Sequence, residues 1–338
     1  MLSGGIQTEY IDGIEYVGGT IKSIAAEEGI IRPKSYIAAN IDNYVYDYLI
    51  KDHLGNVRVV LTNEVIEKKY LATMELQNSS YEEQLFDNIP NTRDDKPALM
   101  PPDFSYSPDE KVSLLDPSLN RAIGHAKVLS VSGGDRVSID TKYYFSSGSF
   151  VQPTSVVVQD VLTQLASIFF PGFGSPTLPS EQQTQAESLF TQNIPFNDFL
   201  SNLFSESLIL KPEKPLAFLT YIMLDKEFNM VPEATGVLRA ENADQLSDLA
   251  VLELKIPQDG YLYIYVSNQS TGKEVSFDNL DINHVPGNVI EENHYYPYGL
   301  LIEQLSSKNP NFVSQSNQKY QLSALLYISQ FFSLCSLC

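Results

Sequence analysis

Short runs of alternating apolar and polar residues, each stopped by Gly, Pro, Asn or Asp, recur along most of this 338-residue chain. A period of two puts successive side chains on opposite faces of a strand, so the pattern asks for half-buried β structure. In "YVYDYLI", Tyr44, Tyr46, Tyr48 and Ile50 share one face, and Val45, Asp47 and Leu49 share the other. After a break, Val57, Val59 and Leu61 alternate with Arg58, Val60 and Thr62. Upstream, "EYIDGIEYVGG" turns at Asp12-Gly13, where glycine accepts the positive φ of a tight hairpin. From residue 71 the runs "ATMEL", "AKVLSV", "DRVSIDTKYYF", "LAFLTYIML", "AVLELKI", "YLYIYVS" and "KEVSFDNLDI" follow. Seven or eight strands over about 215 residues predict an antiparallel two-layer β-sandwich. Twenty Tyr and 17 Phe suit such sheets and supply a substantial core.

One interval departs from period two. Val158, Val161, Leu162, Leu165, Ile168 and Phe169 fall at helical spacing, and Ser180 stands where an N-cap belongs. Residues 153–210 therefore read as a helical excursion within the sandwich. The formal net charge is −20, spread along the chain, which disfavours nucleic acid and anionic membrane surfaces as partners. No run of 18 apolar residues is present, so no transmembrane span is expected. The first residues lack the basic and apolar regions of a signal peptide. Both cysteines, Cys335 and Cys338, lie at the very end, leaving the rest of the chain without an internal disulfide.

Two stretches, "YDYLIKDHLGNVRVVLTNE" and "NHYYPYGL", resemble the two halves of the RHS repeat-associated core, a YD-repeat family, in its Bacteroidetes form. The matching residues are Tyr46, Tyr48, Asp52, His53, Gly55, Asn56 and Arg58, then Tyr295, Tyr296, Pro297 and Gly299, with Tyr298 where the family has Phe. The intervening segment is similar to the jelly-roll modules found between those signatures, most closely in "IPQDGYLYIYVSNQSTGKEVSFDNLDINH". The resemblance implies a mainly β protein: an antiparallel jelly-roll sandwich with a small helical insertion, flanked by RHS/YD-type β-hairpins. The domains are then 1–66 and 288–322 as the two parts of a discontinuous core, 70–287 as the insert, and 323–338 as an aberrant apolar tail. It also implies a secreted or cell-surface parent whose partners are the remainder of an RHS shell and glycan.

Past Ser323, "ALLYISQFFSLCSLC" replaces the family's expected continuation. A truncated or frame-shifted end, a membrane-seeking or lipid-modified tail, and a Cys-x-x-Cys redox or zinc motif are the three readings of it. Nothing corresponds to the family's self-cleaving segment.

Candidate chemistry is sparse. His53 sits in the "DHLGN" turn, and His125, His284 and His294 have no ligand spacing relative to it, so an architectural turn is the simpler reading. Asp52 and Asn56 can bond the turn backbone, and Gly55 can supply the conformation other residues resist. Tyr261, Tyr263 and Tyr265 share one strand face, either a platform for sugar rings or a surface buried under the helical excursion. Glu75 and Asp278 are candidates for a structural Ca²⁺, since first- and last-strand carboxylates supply the oxygen ligands that cation prefers. No Gly-x-Ser-x-Gly, His-Glu-x-x-His, P-loop or dinucleotide fingerprint occurs. A non-catalytic display or ligand-binding role is the leading expectation. A polysaccharide-acting hydrolase and an inactive remnant of a polymorphic-toxin shell without its effector are the alternatives.

Overall fold

Two-residue turns organise the start of the chain. Asp12 and Gly13 both take positive φ (48° and 79°), as do Gly18 and Gly19 (60° and 79°), giving hairpins whose twist matches that of the strands. A computed structural model describes residues 7–34, 43–151, 213–270, 272–297, 300–302 and 306–308. The helical interval expected at 153–210, Gly299 and the tail from 323 lie outside them. The chain divides into two compact units, 1–66 with 285–338, and 67–284.

The first unit is an eight-stranded antiparallel sheet. Strands β1 (Thr8–Ile11), β2 (Ile14–Val17), β3 (Thr20–Ala26), β4 (Gly29–Pro33), β5 (Tyr44–Lys51) and β6 (Val57–Thr62) follow one another in order. The sheet then continues with β17 (Val289–Glu292) and β18 (Ser307–Lys308), although 226 residues separate β6 from β17. Leu61 pairs Val289, Val60 pairs Glu291 and Val59 pairs Glu292, with an irregularity after Val289. The Thr62 N–H closes this joint on the Asn288 carbonyl at 2.8 Å.

This sheet has little interior of its own. Among its described apolar side chains only Val45, Ile66 and Pro286 are buried, whereas Tyr10, Ile11, Tyr48, Ile50, Leu54, Val65, Tyr296 and Leu300 are exposed. A well-buried polar centre lies where β4 meets β5. Arg32 Nε donates to Asp47 Oδ2 at 2.5 Å, and its Nη1 lies 2.8 Å from Glu64 Oε2. Both carboxylates are buried. Replacing Arg32 by Met would leave two buried acids without their cation, and we expect a loss of about 3 kcal/mol. Hydrogen exchange of the β4 and β5 amides checks this, with Arg32→Lys expected to fall between the two.

The second unit is a sandwich. Its four-stranded sheet runs β10 (Ile123–Val131), β15 (Gly260–Asn268), β12 (Ala217–Asp225), β13 (Gly236–Arg239). The other sheet runs β14 (Ser247–Lys255), β11 (Arg136–Tyr144), β16 (Val275–Val285), β9 (Lys111–Leu115), β8 (Arg93–Asp95), with β7 (Lys68–Ala72) also paired to β16. All registered pairs are antiparallel. Leu262, Ile264 and Val266 of β15 meet Ile139, Tyr143, Phe277 and Leu280 from the opposite sheet in one continuous core. Each such side chain, withdrawn from water, stabilises the fold by roughly 1.5–3 kcal/mol. Gly260 begins β15 because a Cβ there would lie 2.0 Å from the Leu224 carbonyl oxygen of the paired strand.

Two short helices, α1 (Ser79–Leu85) and α2 (Ile89–Thr92), link β7 to β8. The run "ATMEL", which alternates like a strand, is not one. β7 stops at Ala72 and Met74 takes φ 63°. The buried Glu82 carboxylate of α1 accepts the Thr73 N–H (2.8 Å), the Thr73 hydroxyl (2.6 Å) and the Met74 N–H (3.1 Å). A helix carboxylate thus takes the backbone donors that a ladder would have used. The chain is mainly β, antiparallel, with few helices, and no helix among the described residues is long and apolar enough to cross a membrane.

Candidate functional site

The "DHLGN" turn joins β5 to β6. Asp52 Oδ1 accepts the N–H groups of Leu54 and Asn56, both at 2.9 Å, while Oδ2 accepts Asn56 Nδ2 (3.1 Å) and Arg58 Nε (2.9 Å). Desolvation pulls the Asp52 carboxyl upward, but the bonds from Asn56, Leu54 and Arg58 outweigh it and hold the group at about 2. Gly55 adopts φ 84°, a conformation costly for other residues. His53 is exposed at the tip. Arg58 then reaches the returning chain. Its guanidinium carbon lies 5.0 Å from the Tyr295 ring centroid, the Tyr295 hydroxyl donates to the Val57 carbonyl (3.0 Å), and the Asn293 N–H donates to the Arg58 carbonyl (2.7 Å). Tyr296 N–H bonds the Leu300 carbonyl across the turn at Pro297. Tyr46 and Tyr48 pack together at 4.4 Å. Among the described residues these contacts fasten chain to chain.

Two of the three tyrosines in the β15 row are closed to a sugar ring, and Tyr261 is half-buried. Tyr263 and Tyr265 are 0% and 1% exposed and stack on each other at 4.9 Å, and Tyr261 stacks on Phe228 at 5.7 Å. The neighbouring Phe218, Ile222 and Leu224 of β12 are buried on the same face. β15 is thus buried on both sides, and an aromatic ring without solvent access cannot stack on a pyranose.

Glu75 and Asp278 are both buried, and the calcium expectation does not fit their surroundings. Glu75 Oε1 is taken by the N–H groups of Glu110 (2.7 Å) and Lys111 (2.9 Å), which anchor the loop before β9. Asp278 Oδ1 accepts the Asn279 N–H at 2.8 Å, and Asn279 Nδ2 spans Asp278 Oδ2 (3.2 Å) and Asp103 Oδ2 (2.8 Å). Among the described residues, no group of three or more His, Cys, Asp or Glu side chains could hold a metal ion. Burial instead drives the Asp278 carboxyl up to about 8, against the Asn279 N–H and reinforced by Asp109, Asp103 and Glu75.

Two histidines are interior. His284 Nε2 lies 2.7 Å from Asp135 Oδ2 with both side chains inaccessible, so this pair serves packing rather than a cleft. Burial pushes His125 down to about 3, keeping its imidazole neutral at ordinary pH.

The second unit does contain a cleft, of about 350 Å³, where β11, β16, β9 and β8 end or begin. Its lining includes Tyr144, Ser146, Ser276, Asp116, Lys273 and Glu274. The Tyr144 ring packs on Met100 and Val112, leaving its hydroxyl as the polar tip. Desolvation and the nearby Asp244 charge raise that phenol above its ordinary value. No sequence motif marks these residues. They come from strand ends far apart in the chain, and only the strand order brings them together. The volume lies at the lower end of the ~300–1,000 Å³ typical of small-molecule sites.

Comparison of the chain with known protein families, with curated proteins and with solved structures finds no match in any of the three.

Proposed function

We propose that this chain is a non-catalytic piece of an RHS-type β-wrapper, exported and displayed at a cell surface, whose inserted sandwich is a ligand-binding or display module. The observation that carries this reading is the β6–β17 pairing, which makes one sheet from two segments separated by the whole sandwich. An insert whose ends leave on neighbouring antiparallel strands disturbs its host least. The poorly covered apolar side chains of the first sheet also favour a wrapper, because stacked repeats bury their faces only against further repeats. The motif geometry agrees: Asp52, Gly55, Asn56, Arg58 and Tyr295 fasten strands rather than forming a reactive centre.

Excision tests the proposal. Residues 67–284 expressed alone should melt cooperatively, since that unit carries its own core. Rejoining the host through a short hairpin loop between Thr62 and Val289 should retain the Val60–Glu291 pairing, read by amide exchange and strand-to-strand NOEs. An excised sandwich without a cooperative transition, or a rejoined host without that pairing, overturns the host–guest reading.

A further inference from the structure

His125 is 0% exposed, and among the described residues neither nitrogen of its imidazole has a hydrogen-bond partner. Buried polar groups are nearly always bonded, so this ring is held in place at a cost. The backbone shows why it sits there. Ile123 of β10 pairs Ser267 of β15 and Ala126 pairs Tyr265, so Gly124 and His125 stand against the single residue Val266. That two-against-one count is a β-bulge, which interrupts the ladder at His125. The surroundings are tight: a Cβ on Gly124 would lie 2.7 Å from Val266 Cγ2, 3.0 Å from Ser113 Oγ and 3.2 Å from Leu115 Cδ1. β10 is also an edge strand of its sheet. On its other side the Asp87–Ala126 bridge holds it, through N–H···O bonds of 2.8 and 3.1 Å.

No charged group among the described residues answers the ring. Lys127 of the same strand donates to the Leu85 carbonyl and lies over the Tyr70 and Phe86 rings. Of the elements packed on β10, α2 carries no titratable side chain, β9 carries Lys111, and β15 carries Tyr261, Tyr263 and Tyr265. Lys111 is engaged by Asp95, and the α1 carboxylate of Glu82 by Thr73 and Met74. Asp87 meets β10 through its backbone. An imidazolium at this position would be a charge without water or counter-ion. Burial alone shifts its titration, from 6.5 down to about 3. The closed strand thus excludes a proton that the opened strand accepts. Closure is fully favoured above about 6.5 and weakens as pH falls toward 3, by up to about tenfold per unit.

We propose that β10 is an acid-operated clasp: protonation of His125 releases the strand from β15 and from Asp87, opening that edge of the four-stranded sheet. The freed edge of β15 then presents unpaired N–H and C=O groups to another strand. Asp278 supplies an internal contrast. It lies on β16 in the other sheet, and its burial favours the protonated native form as pH falls. Acid therefore acts on the two sheets with opposite sign.

Hydrogen exchange of the full chain at pH 7 and 4.5, corrected for intrinsic rates, tests this. Opening of residues 123–131 should rise by up to about a hundredfold, two units below the free imidazole value, while residues 275–285 do not open further. His125→Leu and His125→Gln, neither of which titrates, should each remove the rise, with the melting temperature of both checked at pH 7. Independently of any variant, the ring carbon shifts of His125 in the closed chain should stay those of neutral imidazole down to pH 5. No rise in the wild type, a rise that survives both substitutions, a rise shared equally by 275–285, or a His125 ring titrating near 6.5 in the folded chain would overturn the proposal.

Discussion

Asp278→Asn should make the protein more stable at pH 8.5 and change it little at pH 4. The wild-type carboxyl titrates near 3.8 when exposed and at about 8 when folded. Between those values the native state keeps a proton that the unfolded chain has released, so wild-type stability falls as pH rises. The contribution is complete below about 4 and gone above about 8. The slope is about 1.4 kcal/mol per pH unit, giving a total of several kcal/mol across the window. Asparagine is neutral throughout and nearly the same shape, so it can keep the contact with Asn279 without ionising. Urea denaturation midpoints at pH 4, 6 and 8.5 measure the effect. Parallel wild-type and variant curves would show that Asp278 does not hold its proton.

Glu82→Ala should be the most damaging single polar substitution in the sandwich. It removes the acceptor for two backbone N–H groups and one hydroxyl, all buried. Bonds to a charged acceptor contribute more than neutral ones, and the orphaned donors keep their desolvation penalty. We expect a loss of about 3–5 kcal/mol. Glu82→Gln should recover part of it, because one amide oxygen still accepts while the NH₂ meets donors. Thermal melts of the excised 67–284 unit provide the measurement. Equal melting temperatures for the alanine variant and the parent would remove Glu82 from its role in turning the chain after β7.

These two residues also mark where sequence reading stops. The Asp12-Gly13 turn is legible because a two-residue hairpin needs positive φ at positions whose identity announces it. The run that forms β11 is legible because one face of it must enter a core, and period two records that. "ATMEL" has the same period, but a carboxylate seven residues beyond Glu75 captures its backbone, and no local pattern reports a partner at that distance. β9 was missed for the opposite reason, since "KVSLL" is buried at four of five positions and shows no alternation. The tyrosines of β15 alternate cleanly with Leu262, Ile264 and Val266, yet alternation cannot distinguish a wet face from one buried on its far side. The cleft was invisible because Asp116, Tyr144 and Ser276 become neighbours only through the order β11–β16–β9.

The β6–β17 ladder also sets how this polypeptide carries load. Tension applied through the flanking chain passes across that ladder from one host strand to the next and bypasses the 67–284 loop entirely. The 67–284 segment feels no pull until that ladder has peeled open. The eight-stranded sheet would give way along its own ladder first, with the inserted segment slack.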